Sequence, residues 1–198
     1  MAFTVDDLEV LAALVADSWR SAADRDWSAR AGTLEWTCTR TADHAIDTVL
    51  APAFFLASRK QDDYPVGGPF TLGPDPRPDE LAEGVETAAR VLAAVVVAAP
   101  GDVQAIIWRF PQVDIRPPAD FVPRGALELA LHAHDVGRGL DQPFAPPVDL
   151  CERLRAHTQA WPHWSSPGWS SLRMEGDPWL DLLRSSGRSA DGDHQRRE

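Results

Sequence analysis

Four stretches of the sequence carry apolar side chains at helical spacing, and most of the prolines and glycines fall outside them. Each stretch has one stripe to bury, and four such stripes bury one another best as a helical bundle. The first covers residues 4–24, where Val5, Leu8, Leu11, Ala12, Val15 and Trp19 keep a period of about 3.6 residues. Thr4 reads as its N-cap, and Asp6, Asp7 and Glu9 sit where the helix dipole favours acids. The second runs from about Thr39 to Lys60 on Ala42, Ala45, Ile46, Leu50 and Phe54, with Pro52 inside it. A proline there is expected to kink or split the helix. The third spans Pro78–Ala98 on Leu81, Val85, Ala88, Ala89, Leu92 and Val96, and Pro100-Gly101 closes it. The fourth runs from about Ala119 to Leu140.

A fifth helix is expected over Val148–Ala160 and a short last one over Trp179–Leu183. Residues 25–36 read as a polar connection, and 61–78 and 141–147 as loops. Residues 101–118, with Ile106-Ile107-Trp108 between prolines, read as a strand-like excursion or an extended loop. From Ser185 the chain is polar and is expected to fray. The expectation is an all-α single domain over 1–184, with a tail at 185–198.

Composition narrows the function classes. The 198 residues hold 19 Lys plus Arg against 30 Asp plus Glu, a formal charge of -11, which opposes binding to nucleic acid or an anionic membrane. The apolar run Val91–Ala99 is far short of the roughly 20 residues a membrane span needs. The start, Met-Ala-Phe-Thr-Val-Asp-Asp, lacks the basic and apolar regions of a signal peptide. Cys38 and Cys151 are far apart and in no metal spacing, so a reduced, cytoplasmic protein is expected.

Three positions on the second and fourth helices are of chemical interest. Glu128 and His132 are four residues apart and lie one above the other on one helical face. A third donor, His44, sits among apolar neighbours in the second helix. Two imidazoles and one carboxylate from facing helices leave an open position on a Zn²⁺-like ion, the pattern of a catalytic site. The plainer alternative is an ordinary Glu–His helix pair and a histidine that binds nothing. Asp135 and Asp47 each follow a candidate ligand by three residues and are placed to orient an imidazole, or are ordinary polar positions. His134 points away from the Glu128/His132 face, and His157, His163 and His194 read as a solvated helix, a loop and a tail position.

Arg109, Arg124 and Arg138 suit a carboxylate-bearing substrate, with a solvated surface arginine as the plainer reading of each. Trp36 and Trp108 fall in connections suited to a pocket mouth, whereas most tryptophans, including Trp161, Trp164, Trp169 and Trp179, read as core. Cys38 sits near a helix N-terminus without an obvious base partner, so a buried, inert thiol is the favoured reading. There is no Gly-rich phosphate loop and no Gly-x-Ser-x-Gly elbow.

Three segments carry a resemblance. Trp36-Thr37-Cys38-Thr39-Arg40-Thr41-Ala42-Asp43-His44 is similar to the Trp-Thr-x-x-x-x-x-x-His segment that opens the second helix of actinobacterial DinB-like proteins. The nearest branch is the N-terminal domain of mycothiol-dependent maleylpyruvate isomerase. Glu128-Leu129-Ala130-Leu131-His132-Ala133-His134-Asp135 resembles that branch's Glu-x-x-x-His-x-Trp-Asp segment, with His134 in place of the tryptophan. Residues 176–188, with Asp177-Pro178-Trp179, Leu182-Leu183 and Gly187-Arg188, resemble its tail.

The resemblance implies a DinB-like four-helix bundle, up-down-down-up, holding a divalent metal, Zn²⁺ in the isomerase branch. His44, Glu128 and His132 would be the ligands. Asp135 would fix His132, and Arg138 or Arg109 would hold an acidic substrate group. The implied partners are a low-molecular-weight thiol, mycothiol, and a small electrophile, joined in isomerisation or S-transfer in detoxification or natural-product metabolism, by a monomer or homodimer. Two alternatives keep the fold: a metal-dependent hydrolase, lyase or cyclase acting through water, and a non-catalytic bundle that binds a small molecule or partner.

Overall fold

The computed structural model describes residues 2–67 and 69–188. Its six α-helices are α1 (Val5–Ser21), α2 (Cys38–Ser58), α3 (Pro78–Ala98), α4 (Phe121–Gly139), α5 (Val148–Thr158) and α6 (Pro178–Ser185). Two short strands, β1 (Ala105–Trp108) and β2 (Asp114–Arg116), pair antiparallel. No described helix is long and apolar enough to cross a membrane.

Helix starts follow their caps. Thr4 accepts from Asp7 N–H while Asp7 accepts from Thr4 N–H, a reciprocal box that opens α1. Thr37 accepts from Arg40 N–H and opens α2.

Helix directions follow from the contacts. The connection after α2 runs back along it: Tyr64 stacks on Phe55, Phe70 N–H donates to Asp47, and Leu72 N–H donates to Asp43. It therefore delivers α3 parallel to α2. Along α4, Gly125 lies against Val49, His132 against His44 and Gly139 against Cys38, so α4 is antiparallel to α2. Gln142, just past α4, donates to Ser18 O at the end of α1, so α1 and α4 point the same way. The result is up-down-down-up. Each of α1 and α2 packs on both α3 and α4. The core they enclose includes Leu8, Trp19, Ile46, Leu92, Leu127 and Leu131.

Two expectations are corrected and one open reading is decided. Pro52 does not split α2: the helix is continuous over Cys38–Ser58 and the ring is buried in the bundle, which offsets the one missing backbone bond. Of the two readings of 101–118, the strand-like one holds: the segment forms the β1–β2 hairpin, tied to the end of α2 by Ile106 N–H donating to Lys60 O at 2.7 Å. Fraying does not begin at Ser185. Ser185 ends α6 fully buried, its carbonyl accepts from Ser170 N–H, and Arg188 is anchored on α4. Polarity suggested a tail, but each of these polar groups has a partner inside the fold. Residues 189–198, and with them His194, lie outside the described residues.

Candidate active site

One face of α4 and the facing turn of α2 bring the expected residues together. Arg124, Glu128 and His132 follow at four-residue steps along α4, and His44 of α2 packs edge-on against His132 with ring centroids 5.1 Å apart. Trp36 stands edge-on to the other side of His44 at 5.1 Å, with the Arg40 guanidinium over its ring. Burial, with His132 nearby, lowers the His44 pKa below its ordinary value and keeps the imidazole neutral near pH 7.

His132 is flanked by a carboxylate at both ends. Its Nε2 faces Glu128 Oε2 at 3.8 Å, and its Nδ1 faces Asp135 Oδ2 at 3.5 Å. Asp135 is fixed in turn by Arg188, whose Nε and Nη2 donate to its carboxylate at 2.8–3.1 Å. Burial raises the Asp135 pKa, but contacts from His132 and Arg188 outweigh it and hold the carboxyl below its ordinary value. The chain of contacts Glu128–His132–Asp135–Arg188 is how a protein orients a metal-binding imidazole: a carboxylate takes one nitrogen and leaves the other for the ion.

The donor set suits a divalent ion in kind. Donors sharing such an ion at bonds of about 2.0–2.2 Å stand roughly 3.3–3.6 Å apart, close to the Glu128–His132 separation. Among the described residues, however, no group of three or more His, Cys, Asp or Glu side chains is drawn together tightly enough to be a metal site as it stands.

The other expected residues fall elsewhere. Arg109 is half-exposed and ion-paired with Asp63 at 3.2 Å. Arg138 is six residues past His132, about 240° round the helix, and its Cβ lies near Gly32. Asp47 is used to tie down the returning connection at Phe70. His134 is buried edge-on to Trp179, away from the candidate ligands.

His157 corrects the solvated reading, and His163, read as a loop position, is buried. His157 Nε2 is 2.6 Å from Asp120 and its Nδ1 accepts from Phe3 N–H, joining α5 to both the chain start and the start of α4. His163 is buried and stacked on Trp108 at 3.6 Å. Amphipathic spacing in short segments gave no sign of either contact.

Cys38 is fully buried, and burial raises its thiol pKa to about 11; burial takes Cys151 to about 12. At pH 7 only roughly one Cys38 in ten thousand would be thiolate. Native protein should therefore react negligibly with a colorimetric disulfide reagent at pH 7, and denatured protein should release two thiols per chain. A rapid stoichiometric reaction of the native protein would make Cys38 a nucleophile candidate again.

No protein-family model matches the sequence, and no curated protein matches it. Two solved structures do resemble the fold. One is the mycothiol-dependent maleylpyruvate isomerase, at 16% identity and a TM-score of 0.51, covering 85% of this chain and 75% of that one. The other is a histidine-to-alanine mutant of that isomerase, at 15% identity and a TM-score of 0.50, covering 80% and 72%. At this identity the likeness concerns the fold: the chain is an all-α bundle of the shape seen in mycothiol-dependent maleylpyruvate isomerase.

Proposed function

We propose that the protein is an enzyme of the mycothiol-dependent isomerase or transferase type, which joins a low-molecular-weight thiol to a small electrophile. The observation that supports this most is the meeting of His44, Glu128 and His132 across α2 and α4, backed by Asp135 and Arg188, on a fold shared with a mycothiol-dependent isomerase. In this reading His44, Glu128 and His132 hold a divalent ion, Zn²⁺ by preference for two imidazoles and a carboxylate. Such an ion lowers the pKa of a bound thiol and so supplies thiolate near neutral pH.

The chain's own residues do the rest. Asp135 takes the His132 Nδ1 proton side and fixes the ring with Nε2 toward Glu128. Arg188 keeps Asp135 ionised, so that its charge is available to the imidazole. Burial keeps His44 neutral, the form in which a ring nitrogen donates an electron pair. Trp36, stacked edge-on against His44, limits water at that side.

The test is turnover of electrophiles, such as activated double bonds and cis-trans isomerisable enones, with mycothiol present or absent. Wild-type protein is expected to show thiol-dependent turnover, and His132→Ala to lose it by 100-fold or more, on the order of 3 kcal/mol of transition-state stabilisation. Unchanged turnover in His132→Ala would sink the proposed role. Thiol-independent turnover that still needs His132 would favour the hydrolase, lyase or cyclase alternative.

A further inference from the structure

The third residue of the α4 stripe is a buried cation without an anion. Arg124 is 9% exposed, and its Nε and Nη1 atoms are buried without a hydrogen-bond partner. Among the described residues no carboxylate lies within ion-pair distance of it. Its guanidinium packs on aromatic rings instead, 4.2 Å from the Trp108 centroid, 4.7 Å from Phe55 and 6.0 Å from Tyr64. Cation–π contact recovers part of the cost of burying the charge, but it satisfies none of the in-plane N–H groups. Two more buried groups of the same cluster lack partners: Trp108 Nε1, and Nε2 of His163, the ring stacked on Trp108.

Rings packed on the guanidinium leave its edge as the hydrogen-bonding surface. A guanidinium edge takes a planar two-oxygen group in its own plane, as a fork on a fork. In a low-dielectric setting such a bond is stronger than in water. Arg124 is one helical turn from Glu128 and two from His132. Phe55 and Tyr64 also line a groove of about 470 Å³ between α2 and the returning connection, a volume within the range of small-molecule sites.

We propose that Arg124, braced by Trp108 and Phe55, is the subsite for a carboxylate of the substrate beside the Glu128–His132 face. The proposal rests on the reading of that face as the active site, and it names the residue that would hold a substrate carboxylate there. The acid-holding role expected of Arg109 and Arg138 passes to Arg124, which has buried, unpartnered donors, whereas Arg109 is half-exposed and already paired with Asp63.

The test follows the Arg124 Nε–H resonance by NMR during titration of the native protein with crotonate. Crotonamide serves as the uncharged match, sulfate as the non-planar anion, and benzoate and succinate as larger acids. A saturable shift with crotonate or a larger carboxylate, without one from crotonamide or sulfate, supports the subsite. Arg124→Lys should then weaken carboxylate binding by about tenfold or more, because a point charge replaces the fork. No saturable shift with any of the three acids overturns the proposal. So does an equal shift with crotonamide or sulfate, or equal binding by Arg124→Lys. If Arg124→Lys fails to fold, the native titration decides alone. The same titration on Glu128→Ala separates the two proposals: a retained carboxylate shift supports the subsite even if thiol-dependent turnover is never found. Loss of the shift in that variant places the carboxylate on the Glu128–His132 ligand set and overturns the assignment to Arg124.

Discussion

Asp135→Ala is expected to cost both stability and the geometry of the site. The Asp135 side chain is 4% exposed, and its carboxylate accepts three hydrogen bonds from Arg188, whose side chain is 15% exposed. Removing it leaves a largely buried guanidinium without its anion, an error that costs about 3–5 kcal/mol in comparable pairs. It also frees His132 Nδ1, and loss of such an orienting carboxylate lowers metal affinity by roughly 10–100-fold. Urea unfolding and a zinc competition titration would read the two effects separately. Asp135→Asn keeps the shape and loses the charge, so it should sit between wild type and alanine in both. Wild-type stability and wild-type zinc affinity in Asp135→Ala would show that Arg188 and Asp135 are neither a clamp nor a support for His132.

Gly139→Ala is expected to destabilise the bundle, against the helix propensity scale. In an open helix the change would help by up to about 1 kcal/mol. Here the added Cβ would stand 2.5 Å from Cys38 Sγ and 3.0 Å from Ala31 Cα, and closer still to the Arg30 carbonyl oxygen. Two of these neighbours are backbone and cannot turn aside, so overpacking wins, with a net cost of about 3 kcal/mol. For a chain of this size that is a fall of roughly 6–12 °C in Tm. Gly101→Ala, where nothing lies within 4 Å of the new Cβ, is the control and should change stability by less than about 0.5 kcal/mol. An unchanged or raised Tm in Gly139→Ala would mean that α4 and the start of α2 are farther apart than described. The contact bears on function, because the same close approach sets the register that puts His44 opposite His132.

The bundle was legible because its evidence is periodic and local. Each long helix needed only its apolar stripe and its cap, and both are present at α1 and α2. Pro52 misled because a proline's cost is local, whereas what offsets it is burial against neighbouring helices. The polarity of Ser185–Arg188 misled in the opposite direction. Ser185 and Arg188 are satisfied by Ser170, Ser171 and Asp135, partners 14 to 53 residues away that no window around residue 185 contains.

At the site, Glu128 and His132 were visible from four-residue spacing, and Arg124 continues the same spacing by one more step. That signal was present in the sequence, but an arginine at the start of a helix reads as solvated. Only the aromatic residues of α2, of its following connection and of β1, brought over it by the tertiary fold, make it a buried cation. His157 was read as solvated, and His163 as a loop position, for a related reason: the groups that cover them, Asp120 and Trp108, come from other parts of the chain.

The central claim is that His44, Glu128 and His132 hold a divalent ion, and metal content tests it most directly. Untagged protein should be analysed by elemental mass spectrometry as purified and after incubation with Zn²⁺, with Glu128→Ala treated in parallel. The account predicts about one zinc or similar ion per chain, absent from the variant. Native protein that stays metal-free after incubation, or a Glu128→Ala variant that binds as much as wild type, would contradict it.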